Sequence, residues 1–106
     1  MAERAFILYR LRSDRSRDEY VKWLQEEHYP WGRTLPGVTL LEGYFITEDF
    51  DPEVETPMWT NAAVIDIEDR DAWLAGQQGE EADYHWQRFG EFVEDYKIYF
   101  SQHIDA

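Results

Sequence analysis

Residues 5–12, Ala-Phe-Ile-Leu-Tyr-Arg-Leu-Arg, are branched and aromatic at their start and alternate apolar with polar toward their end. That pattern predicts a first β-strand. Ser16-Arg17-Asp18-Glu19 then matches a capping box, so a helix is expected to begin there. Along it Tyr20, Trp23, Leu24, Glu27, His28 and Trp31 recur every three or four positions, which gathers aromatic and apolar groups into one stripe with His28 toward its far end. Pro30 lacks an amide donor and restricts its neighbour, so the helix should stop or kink beside His28.

Leu35-Pro36-Gly37 has turn chemistry, and residues 38–47 are rich in β-formers, with Gly43 marking a bulge or a close approach. Residues 48–57 are acidic and hold two of the four prolines, which predicts a loop before a third strand over 58–67. Residues 69–77 and 80–93 read as two helical pieces divided near Gly76 and Gly79. The second puts Tyr84 or His85 on one face with Phe89 and Phe92. The last segment, 95–104, alternates as a strand, with Tyr96, Ile98, Phe100 and Ile104 on one side and Lys97, Tyr99, Ser101 and His103 on the other. The order β-α-β-β-α-β gives an α+β, ferredoxin-like fold: a four-stranded antiparallel sheet with helices on one face. Several strands are apolar on both faces (Phe6, Ile7, Leu8; Leu40, Leu41; Tyr44, Phe45; Val64, Ile65). The uncovered face therefore needs a cover, and a second copy of the chain is the simplest one.

Composition narrows the picture. At 106 residues, with 43% apolar and 17% aromatic residues, the chain fits a single domain over 1–106 with one core. A domain this short is marginally stable, which again favours a homodimer. The absence of cysteine excludes a disulfide scaffold, a thiolate metal site and a thiol nucleophile, and makes the cytoplasm the expected compartment. No apolar run approaches the roughly 18–20 residues that span a bilayer, and Met1-Ala2-Glu3-Arg4 does not begin a secretory signal, so no membrane partner is expected. A formal net charge of -13 opposes nucleic acid as a partner. The charge is uneven: residues 1–34 carry seven Lys or Arg and six Asp or Glu, residues 35–106 three and 17. An acidic solvated surface is the plain reading of it, and attraction of a cationic ligand is the alternative.

Trp23-x4-His28-x-Pro30, then Leu35-Pro36-Gly37-Val38, a histidine in the second helical region at His85 and an aromatic last strand resemble the dimeric α/β-barrel superfamily. Within it the chain is most similar to EthD-like proteins and to the RedY/HapK-like small proteins of prodiginine and related bacterial pigment pathways. The resemblance spans nearly the whole chain and implies a dimer and a ligand cavity. The superfamily holds cyclases, isomerases, metal-free and flavin-free monooxygenases and binders, so fold alone leaves the activity open.

His28, at a helix interruption, suits a general acid or base on a bound phenol, enol or pyrrole; capping the helix end is the plain alternative. His85 gains its candidacy from the resemblance, since cyclases of the superfamily move protons with a histidine in the corresponding segment; a surface histidine is the alternative. Tyr9, Trp23, Trp31, Trp59, Asn61 and Tyr99 are the candidate binding residues. The rings would stack on a planar aromatic ligand, and Asn61 or Tyr99 would donate to a developing oxyanion, although core packing and dimer contact explain many such aromatics. His103 is expected at the dimer seam, with the barrel interior as the alternative, and Arg10 and Arg12 are expected to pair with carboxylates such as Glu42 or Asp66, with an acidic substrate as the alternative. No metal or other cofactor is expected, since no HxxxH, HxH, Gly-x-Ser-x-Gly, GxGxxG or phosphate loop occurs. Three functions follow: a cofactor-free cyclase, isomerase or condensation catalyst of pigment biosynthesis, a non-catalytic protein that shelters an aromatic intermediate, or a cofactor-free monooxygenase.

Overall fold

The computed structural model describes residues 3–105, and residues 1, 2 and 106 of the expected domain lie outside the described residues. The elements run β1 (Glu3–Leu11), α1 (Arg17–Trp23), a π turn (Leu24–His28), α2 (Tyr29–Gly32), β2 (Val38–Phe45), β3 (Asn61–Ile67), α3 (Arg70–Ala75), α4 (Glu80–Phe92) and β4 (Val93–Ser101). The four strands form one antiparallel sheet in the order β2-β3-β1-β4, the ferredoxin-like arrangement. Among the described residues no helix is long and apolar enough to cross a membrane.

Register decides which side chains face the helices. Ala5 stands opposite Ile65 and Phe100, Ile7 opposite Ala63 and Ile98, and Tyr9 opposite Asn61 and Tyr96. These residues share the covered face because side chains alternate along a strand. On the other face the same pairing sets Phe6 against Val64 and Tyr99, and Leu8 against Ala62. Phe6 (41% exposed), Tyr44 (53%) and Tyr99 (54%) make that bare face aromatic. An expected ion pair changes there: Asp66 takes a two-pronged bond from Arg4 (2.6 and 2.9 Å), its direct cross-strand neighbour. Arg10 instead pairs with Glu94, which the irregularity between Arg10 and Leu11 brings alongside, and Arg12 pairs with Asp14 at 2.9 Å.

Local signals account for most boundaries. The Ser16 hydroxyl accepts from the Glu19 amide at 3.2 Å and starts α1. The Asp69 carboxylate accepts from the Ala72 amide at 3.1 Å and starts α3. Pro30 does not end the first helical region. The turn before it widens to the π form, with the Tyr29 amide reaching the Leu24 carbonyl, and Pro30 enters α2 in its first turn, where a missing amide costs no bond. β4 is set earlier than 95–104, because it follows α4 without a loop, and Ile104 and His103 lie beyond it, exposed. β3 starts at Asn61 rather than 58, although an Ile46 amide to Thr60 carbonyl bond (2.8 Å) carries the pairing slightly past the strand ends. Gly43 is a close approach: a Cβ there would sit 1.9 Å from the Tyr29 hydroxyl.

The core between helices and sheet is divided. Tyr9, Tyr20, Trp23, Leu24, Phe92 and neighbours form one buried cluster, and Ala5, Leu41, Ile65, Ile67 and Trp73 form another, with Ile7 packed against both. A cavity lies where the two meet.

Candidate functional site

The cavity is floored by Ile7, Ala63, Ile65, Leu41 and Ile98 of the sheet and roofed by residues of the helices, among them Tyr20, Leu24, His28, Trp31, Trp73, His85 and Phe89. Its volume is about 80 Å³, room for a few water molecules. The wall is mostly apolar. The two histidines are the titratable nitrogen groups that face this apolar space.

Two helical segments bring them together. His28 closes the π turn at the end of the α1 stripe and lines the cavity. His85 arrives from α4 on the face that also buries Ala82 and Phe92. Their Nδ1 atoms lie 3.3 Å apart. Each ring is packed on a tryptophan: His28 stacks on Trp23 (centroids 4.7 Å, 24°) and His85 on Trp31 (4.2 Å, 9°). Four rings thus alternate as indole, imidazole, imidazole, indole.

Electrostatics keep the pair neutral near pH 7. Burial, with a smaller repulsion from His85, pushes His28 down to about 4. Burial also lowers His85, which is 4% exposed, against an opposing pull from Glu81 and Glu27. Two neutral imidazoles joined through Nδ1 must be complementary tautomers, one donating Nδ1–H to the other's lone pair. The donor then has a bare Nε2, a base, and the acceptor an Nε2–H, an acid. One neutral pair therefore holds a proton acceptor and a proton donor together. At its edge the Tyr84 hydroxyl donates to Glu27 Oε1 at 2.7 Å, and the Tyr84 ring stands edge-on to His85. Among the described residues no three His, Asp or Glu side chains converge as metal ligands would.

The other candidate residues divide. Tyr9 and Trp31 line the cavity, and Trp23 backs it through His28. Asn61 is buried behind Tyr9, taking a bond from the Thr60 hydroxyl at 2.7 Å. Trp59 lies outside the cavity, on the loop before β3 beneath the Arg10 guanidinium. Tyr99 is on the bare face, and His103 is exposed beside Asp105. Sequence reasoning passed over Tyr20, Trp73, Trp86 and Gln77 as lining residues. Tyr20 was legible on the stripe of α1. Trp86, whose indole N–H is held by Gln77 Oε1 at 3.2 Å, carries no signal separating it from core.

Comparison with known proteins adds the family. The model of the family described as REDY-like protein HapK matches residues 3–104. Among solved structures, HapK from Hahella chejuensis is 20% identical with a TM-score of 0.70, covering 97% of this chain and 94% of that one. An ethyl tert-butyl ether degradation (EthD) family protein from Bacillus halodurans is 14% identical (TM-score 0.71; 98% and 100% covered). A dimeric ferredoxin-like protein from Thermobifida fusca is 15% identical (TM-score 0.69; 95% and 90% covered). No curated protein matches in sequence.

Proposed function

The chain belongs to the REDY-like HapK family, and from that premise we propose that it binds a small planar aromatic molecule in the cavity and moves a proton on it through the His28–His85 pair. The reading is of a cofactor-free cyclase, isomerase or condensation catalyst. Its setting in bacterial pigment biosynthesis, on a prodiginine or bipyrrole-type molecule, rests on the family resemblance. The observation that carries the catalytic part is the 3.3 Å contact between two imidazoles held neutral in an apolar cavity, since shelter alone needs no paired acid and base. A ligand of more than one ring requires the half-buried Trp31 and Trp86 to move aside, given a cavity of about 80 Å³.

The protein works, on this reading, as a one-domain cytoplasmic homodimer. The aromatic bare face supports the dimer, as does the dimeric state of the Thermobifida fusca protein. The test is a binding screen with planar pyrroles, indoles and phenols by tryptophan quenching, followed by product analysis with wild type and His28→Ala. Binding kept with product lost in the variant supports the catalyst. Binding with no product from either protein replaces it with the sheltering binder that the mostly apolar lining would also serve.

A further inference from the structure

Among the described residues two buried donors beside the cavity lack an acceptor. Tyr9 and Tyr20 both line it, and their hydroxyl oxygens lie 2.6 Å apart, with Tyr20 donating. Two hydroxyl protons belong to that pair and one is used between them, so the Tyr9 proton is left over. Asn61 shows no bond from it: among the described residues its Oδ1 accepts from the Thr60 hydroxyl, and the one side-chain hydrogen bond of the Tyr9 hydroxyl is the one it accepts from Tyr20. Trp23, only 2% exposed, has an Nε1–H with no acceptor among the described residues, and its ring lies against both Tyr20 and His28. Buried donors without partners are unfavourable, and two of them beside one apolar cavity describe a site that an oxygen-bearing ligand completes.

We infer that Tyr9, positioned by the hydrogen bond from Tyr20, donates its hydroxyl proton to an acceptor oxygen of the bound molecule, and that this molecule is an aromatic carbonyl compound. The inference rests on the proposed cavity and names its substrate class. Burial pushes the Tyr9 hydroxyl well above its ordinary pKa, so it serves as a donor and not as a base. A bond from Tyr9 to the carbonyl oxygen makes the neighbouring C–H more acidic. That C–H bond breaks, its proton goes to the bare Nε2 of the histidine pair, and its electrons form the enolate C=C as the carbonyl π pair moves onto the oxygen held by Tyr9. Tyr9 is then the substrate-touching donor, and Tyr20 is a positioning residue.

Acetophenone and α-methylstyrene, which differ in C=O against C=CH2 at nearly constant shape, test this by protein-observed NMR titration. Wild type is expected to bind acetophenone roughly fivefold more tightly, the worth of one net hydrogen bond. Tyr9→Phe should bring the two ligands to parity. The double variant Tyr9→Phe/Tyr20→Phe leaves no hydroxyl unpaired, which protects the fold, and should also show parity; thermal unfolding checks both variants. Equal binding in wild type, or a preference that survives in the double variant, overturns the inference and leaves the cavity reading standing. Failure of wild type to bind either compound overturns the cavity reading and the inference with it.

Discussion

His28 should make the protein less stable in mild acid, by an amount that can be worked out. Its imidazole is held at about 4, against 6.5 for a solvated histidine. A folded state that refuses a proton the unfolded chain accepts has its full stability above the unfolded pKa, and loses it as the pH falls toward the folded one. At pH 5 the unfolded histidine is weighted by a factor of about 33 for protonation and the native one by about 1.1. Their ratio, about 30, corresponds to roughly 2 kcal/mol lost relative to pH 8, rising toward about 3 kcal/mol below pH 4. The window from pH 8 to 5 lies above the titration of the ion-paired Glu3, Asp14 and Asp66, whose carboxyls Arg70, Arg12 and Arg4 hold below their ordinary values. Their stabilising effect is present throughout that window and is lost only at lower pH. Urea unfolding of wild type and His28→Gln at both pH values isolates the contribution of His28, because His85 is present in both proteins. Wild type should lose about 2 kcal/mol more than the variant. Equal losses, or an NMR titration midpoint for His28 near 6.5, would refute the burial argument.

Other outcomes follow from the same geometry. Gly43→Ala drives a methyl into the Tyr29 hydroxyl and should cost roughly 1–3 kcal/mol in chemical unfolding, with partial recovery in Gly43→Ala/Tyr29→Phe. Trp31→Ala removes the ring stacked on His85, so ligand quenching should weaken and the His85 pKa, read by NMR, should rise toward 6.5 as water reaches it. An unchanged His85 titration would show that Trp31 does not bury it. Phe6→Glu puts a charge in the middle of the bare face and should convert a dimer to a monomer in sedimentation velocity, with the helical circular dichroism kept.

The fold was legible because its signals are local. Alternation in residues 5–12, the Ser16 cap and the stripe Tyr20–Trp23–Leu24 each translate directly into a strand, a helix start and a buried face. Pro30 marked the interruption beside His28, but the form it takes, a π turn after which the helix resumes, has no signal in the sequence. His28 and His85 were legible as candidates, but their pairing was not: it joins residues 57 positions apart on two separate helical segments. Tyr99 and Trp59 were chosen for their chemistry, although the alternation of residues 95–104 already set Tyr99 on the side opposite Ile98. Cross-strand register settles Tyr99, and the loop before β3 carries Trp59 away. The partner of Arg10 was missed for a related reason, since an irregularity in β4 has no composition of its own, whereas Arg12 turns to Asp14 in the loop that follows β1.

The central claim is that the two histidines move a proton on a bound ring compound. Oxindole, a planar carbonyl compound with an acidic C–H beside the carbonyl, measures it in deuterated buffer by NMR. Wild type is expected to speed exchange of that C–H above the buffer rate, and His28→Ala and His85→Ala to lose the acceleration while still quenching tryptophan fluorescence on binding. Oxindole bound by wild type yet exchanging at the buffer rate would contradict the claim and leave a cavity that only holds its ligand.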